Sequence, residues 1–111
     1  MTQDTEPTIR DDPENHRYVV EIDGEVVGFA EYHLRGGRHF FVHTEVDDEH
    51  TGRGLGTALV KGALDDVRAA GGAVVPLCPL VASYIKKHPE YGDLVDQEIV
   101  ERIDRARERD D

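Results

Sequence analysis

A chain of 111 residues with 13 Lys+Arg against 24 Asp+Glu carries a formal charge of −11, which argues against DNA or RNA as a partner, since their phosphates require a basic face. The one cysteine, Cys78, excludes an intrachain disulfide and a thiol-rich metal site. With no apolar run near the roughly 18 residues of a membrane span and no signal-peptide core, the expectation is an acidic, soluble, cytoplasmic single domain without a membrane partner.

Residues 1–16 are polar and rich in Asp, Glu and Pro, and read as a disordered or loosely attached tail. Tyr18 to Ile22 alternates as a strand, with Tyr18, Val20 and Ile22 on one face. Asp23-Gly24 signals a hairpin turn. A second strand follows over about Glu25 to Leu34, Gly36-Gly37 turns the chain again, and His39 to Val46 makes a third strand. Its alternation puts Phe40, Val42, Thr44 and Val46 on one face, with His43 and Glu45 on the other. A helix is expected from about Leu55 to Ala70, with Leu55, Leu59, Ala63 and Val67 among its apolar positions. Gly71-Gly72 ends it. Ala73 to Leu77 is a short apolar strand lying beside the third. Pro79 opens a second helix to about His88, and Pro89 stops it. The order βββ-α-β-α predicts an α/β (α+β) domain over 17–95, with a mixed, mainly antiparallel sheet covered by helices. A charged C-terminal helix follows over 96–111.

The most informative stretch joins the third strand to the first helix. Gly52, Gly54 and Gly56 alternate there within Thr51-Gly52-Arg53-Gly54-Leu55-Gly56-Thr57. Glycine permits close backbone approach and positive φ, and a helix start offers unpaired N–H groups at the positive end of its dipole. Together they suit a phosphate or pyrophosphate. The spacing is neither a dinucleotide fingerprint nor a nucleotide-triphosphate loop.

This stretch resembles the acetyl-coenzyme A loop of the GCN5-related N-acetyltransferases, which runs from a strand-ending Val through Arg/Gln-x-x-Gly-x-Gly/Ala into a helix. Val46 takes the Val position and Gly54 and Gly56 the small ones, while Thr51 stands where Arg or Gln is usual. The resemblance covers about residues 18 to 92. The helical pair usual after the family's first strand is missing, because Asp23-Gly24 joins two strands directly. The chain is therefore most similar to a very short subgroup, whose Val-Pro-Leu-Cys-Pro strand exit (75–79) and Tyr84 to Tyr91 run it shares. The resemblance implies a GNAT-like acyl-CoA N-acyltransferase fold and acetyl-CoA as cofactor. It implies a cofactor site formed by Val46, Thr51, Gly52, Arg53, Gly54, Leu55, Gly56, Thr57, Cys78, Tyr84 and Lys87. The amide of Val46 would hold the thioester oxygen, and Tyr84 would be the acid beside the leaving sulfur.

Other readings of these residues stay open. Tyr84 also fits a core ring with a satisfied hydroxyl. Cys78 fits a small buried hydrophobe, a proton donor to the leaving group, or a nucleophile. His43, Glu45 and His33 are candidate bases. His39 and His43 do not make a metal pair, being about 13 Å apart on an extended strand, and no metal is expected. Lys86 and Lys87 suit either a coenzyme A phosphate or an exposed helix face. The acid-rich composition favours a cationic amine acceptor, protein or small molecule. An alternative of another class is a catalytically weak coenzyme A or acyl-CoA binding module, acting as sensor or partner domain.

Overall fold

The computed structural model describes residues 7–47 and 54–109. Its strands are β1 (Thr8–Asp12), β2 (Arg17–Ile22), β3 (Glu25–Arg35), β4 (Arg38–Val46) and β5 (Ala73–Pro76), in a sheet of order β1-β2-β3-β4-β5. The first four are antiparallel, and β5 pairs parallel to β4. The helices are α1 (Leu55–Ala69), α2 (Pro79–Lys87) and α3 (Gln97–Arg109). The mixed, mainly antiparallel α+β architecture expected from the alternation is therefore the one observed.

Both hairpin turns have positive φ at two successive residues, 53° and 80° at Asp23-Gly24 and 58° and 78° at Gly36-Gly37. That is the geometry that matches the twist of two-residue hairpins. The parallel β4–β5 pair needs a crossover, and α1 supplies it. Buried residues of α1 (Leu59, Ala63, Leu64, Val67) and of α2 (Val81, Ile85) join one core with Tyr18, Val20, Tyr32 and Phe41 of the sheet. Both helices therefore cover the same sheet face. Each buried Leu or Val contributes about 1.5–3 kcal/mol there.

The tail expected over 1–16 is corrected for part of its length: Thr8–Asp12 forms the edge strand β1, paired antiparallel to β2. Its local sequence has one apolar residue, Ile9, and its anchors are all distant. A Cβ at Gly62 would lie 2.8 Å from Ile9, so the glycine in mid-helix opens the slot that Ile9 fills. The Tyr32 hydroxyl donates to Asp11 at 2.6 Å, and Arg17 pairs with Asp12 at 3.1 Å.

The face expected for β4 is also corrected. Glu31 pairs with His43 but Tyr32 with Phe41, so Val42 is an extra residue, a bulge. One extra residue reverses the alternation. Phe41, not Phe40, enters the core, and Phe40 and Val42 line a cavity on the face away from α1 and α2. His39 lies against Tyr18, Tyr32 and Phe41, while His43 meets Phe29 on the other side. None of the described helices is long and apolar enough to cross a membrane.

Candidate functional site

Thr51, Gly52 and Arg53 lie outside the described residues; Gly54, Leu55, Gly56 and Thr57 lie within them. Gly54 is the N-cap of α1 at φ 72°, a left-handed conformation that favours glycine. Its carbonyl accepts the first helical hydrogen bond, from the N–H of Ala58 at 3.0 Å. Leu55, Gly56 and Thr57 occupy the first turn, where N–H groups lack intrahelical acceptors. Among the described residues no side chain caps this end, and the first turn holds no acidic residue despite the acidic composition. Such an end suits an anion. These residues thus fit the phosphates of a coenzyme A.

The other half of the frame is a splay. β5 pairs with β4 from Arg38 to Phe41 and then leaves it, the last backbone hydrogen bond being from the Cys78 N–H to the Phe41 carbonyl at 2.8 Å. Beyond that point β4 continues to Val46 with β3 on one side only. The Asp47 N–H donates to the Val27 carbonyl at 2.7 Å, which makes Phe29–Glu45 a hydrogen-bonded pair and Gly28–Val46 a non-hydrogen-bonded one. The amides of Thr44 and Val46 therefore point to the opened edge. The side chain of Val46 packs on the core, so its amide and side chain have separate roles available.

Cys78 is buried in the core cluster at the N-cap of α2, with Sγ 3.4 Å from Thr44 Oγ1. Thr44 was not among the expected site residues. Its even parity with Val46 on the core face was the signal, since that side of β4 meets the β5 exit. Tyr84 lies six residues after Cys78, about 9 Å of helix rise away. Its ring stacks on His88 at 4.2 Å, and with Thr57, Ser83 and Lys87 it lines a small cavity of about 100 Å³ between α1 and α2. Three of the four tyrosine hydroxyls donate to carboxylates, Tyr18 to Asp66, Tyr32 to Asp11 and Tyr91 to Asp65. Among the described residues the Tyr84 hydroxyl has no such partner. Burial first, and then the hydrogen bond to a carboxylate, pushes the Tyr18 and Tyr32 hydroxyls well above the usual phenol range. Those two are structural.

His43 and Glu45 form a loose pair, Nε2 to Oε2 3.4 Å, on the face away from α1 and α2. They are more than half exposed, 55% and 63%. His33 shares that face, in another cavity. The candidate groups thus divide. Thr44 and Cys78 meet at the splay with Val46 two residues further along β4, Tyr84 and Lys87 border the helix side, and Glu45 and His43 lie on the face away from α1 and α2. Among the described residues no cluster of three His, Cys, Asp or Glu could hold a metal ion.

A family model described as GCN5-related N-acetyl-transferase matches residues 17–94. Among solved structures, a GCN5-like protein from Staphylococcus aureus is similar with 19% identity and a TM-score of 0.60, covering 79% of this chain and 86% of that one. The ribosomal-protein-S18-alanine N-acetyltransferase from Escherichia coli is similar with 20% identity and a TM-score of 0.52. That match covers 65% of this chain, which spans about half (49%) of the Escherichia coli enzyme. At these identities the likeness shows a shared fold. No curated protein matches the sequence.

Proposed function

The chain belongs to the GCN5-related N-acetyltransferase family, and we propose that it transfers an acetyl group from acetyl-coenzyme A to an amine by direct attack. The observation that carries the reading is the splay. A β4 edge that turns two amides away from β3 stands beside the start of α1, whose first turn holds no acidic residue and which no described side chain caps. The first holds a carbonyl oxygen and the second holds phosphates.

Acetyl-coenzyme A, when bound, supplies an acetyl group activated as a thioester. The amides of Leu55, Gly56 and Thr57 bind its phosphates, with Lys87 in reach from α2. The Val46 amide donates to the carbonyl oxygen. In the overall exchange a C–S bond breaks, a C–N bond forms, and one proton leaves the amine while another reaches the sulfur. Glu45 or His43 accepts the first, directly or through one water. The Tyr84 hydroxyl supplies the second, with Cys78 in the supporting wall.

The test is thiol release from acetyl-coenzyme A with a panel of amines, each paired with mass detection of the acetylated amine. Amine-dependent release of both products supports the reading. Tight coenzyme A binding with no amine-dependent turnover across the panel would favour a binding module instead.

A further inference from the structure

The sheet face away from α1 and α2 carries an ordered run of charge. Along β3 it presents Phe29, Glu31, His33 and Arg35 in that order, by the alternation of an uninterrupted stretch. Glu45 stands opposite Phe29 and His43 opposite Glu31, so the end nearest Val46 is acidic. The far end carries a cation, Arg35. There His33 and Arg35 rim a cavity of about 350 Å³ whose floor is Phe40, Val42 and Leu77.

Arg35 is unusual in its company. Arg10, Arg17, Arg38, Arg68 and Arg102 each pair with a carboxylate. The side chain of Arg35 has no hydrogen bond or ion pair among the described residues, and neither does that of His33. In a chain with 24 carboxylates, an arginine left unpaired at the rim of an apolar cavity is available to an outside anion. The Val42 bulge sets this up, because it turns both Phe40 and Val42 onto the same face as His43, away from α1 and α2.

We propose that this groove takes the acceptor, and that the acceptor is a short peptide whose free terminal carboxylate is held by Arg35 and His33 while its amine lies at Glu45 and His43. The inference rests on the acetyl-transfer reading above. Arg35 and Glu31 are four residues apart on β3, about 13 Å by the strand rise. An extended tripeptide spans about 10 Å, and the Arg35 side chain closes the difference. The apolar floor receives the side chain next to the carboxylate. The overall charge of −11 draws amines toward the protein generally, whereas this rim selects among them by their far end.

The probe is alanyl-alanyl-phenylalanine and its C-terminal amide, titrated by NMR into the protein alone and into the protein saturated with coenzyme A. An exposed charge-assisted contact predicts that the acid binds about fivefold to tenfold more tightly than the amide. Arg35→Gln should remove that difference without altering the amide's affinity or the melting temperature. Equal affinity of acid and amide, discrimination that survives Arg35→Gln, or no binding of either at millimolar concentration would each overturn the proposal. Failure of the acetyl-transfer reading appears separately, as absent coenzyme A binding, and the acid–amide comparison on the protein alone still decides the groove.

Discussion

Gly56→Asp separates binding from folding at the start of α1. Gly56 is the second residue of the helix, and a Cβ there would sit 3.5 Å from Leu80 Cδ2 and 3.8 Å from Val46 Cγ2, ordinary contact distances. The backbone is helical, so a side chain adds no conformational strain. Replacing glycine in a helix gains a few tenths of a kcal/mol, and an acidic group in the first turn gains about 0.3–1 kcal/mol from the helix dipole. The variant should therefore melt at or slightly above the wild-type temperature. Binding should respond in the opposite sense. A carboxylate about 5 Å from a phosphate charge, at an effective dielectric near 20, is repelled by about 3 kcal/mol. That corresponds to a roughly 100-fold loss of coenzyme A affinity. Titration calorimetry with coenzyme A beside a thermal melt reads both quantities. A folded Gly56→Asp protein that binds coenzyme A within a few fold of wild type would refute the phosphate site at this helix end.

Other expected outcomes follow from the same structure. Tyr84→Phe should lower kcat by about 100-fold, the lower end of a general acid's contribution, with coenzyme A affinity unchanged; an unaltered kcat would remove Tyr84 from the chemistry. Gly62→Ala should destabilise by about 1–2 kcal/mol in urea unfolding, because crowding against Ile9 outweighs the usual helix gain of alanine. The loss should shrink in an Ile9→Ala background, and a Gly62→Ala protein as stable as wild type would show that β1 is not held in that slot. Burial of His39 holds its imidazole below the usual value of 6.5, against the opposing pull of Asp11 and Asp66. The unfolded chain therefore binds the proton more readily, and stability that is complete above about pH 6.5 is lost as pH falls below it. His39→Phe should flatten that slope. Asp12, Asp65, Asp93 and Asp96, all held below 3.8 chiefly by hydrogen bonds to neighbouring side chains, lose their contribution only below that pH. A slope between pH 4 and 6.5 unchanged in His39→Phe would assign it elsewhere.

What the sequence reveals here is what local chemistry determines. Two glycine turns with positive φ, an apolar period of 3.6 in α1 and a proline at each end of α2 are readable without coordinates. β1 is not. Thr8-Ile9-Arg10-Asp11-Asp12 has no alternating apolar pattern, and its strand exists because β2 offers an edge and Gly62 offers a slot. The side-chain faces of β4 fail for a related reason. A bulge depends on how two strands meet, and nothing in Phe40-Phe41-Val42-His43 announces which residue will be left over. The unpaired hydroxyl of Tyr84 and the unpaired guanidinium of Arg35 are likewise facts about distant partners. They become visible only when every other tyrosine and the other paired arginines are seen to have one.

The short β2–β3 turn at Asp23-Gly24 has a consequence for how the proposed site divides its labour. No helical pair stands between β2 and β3, and side chains such as His33, His43 and Glu45 on the face away from α1 and α2 stay exposed. The cofactor half, by contrast, is made largely of main-chain groups, the first-turn amides of α1 and the splayed amides of β4. Backbone donors survive most side-chain changes, so a threonine at position 51 in place of Arg or Gln is compatible with binding there. The acceptor half has no such insurance. Its selectivity rests on a few exposed groups, Arg35, His33, His43 and Glu45, each replaceable without disturbing the core. Substitutions of these exposed groups should therefore redirect which amine is used while leaving coenzyme A affinity intact, whereas substitutions at Gly54 or Gly56 should remove both together.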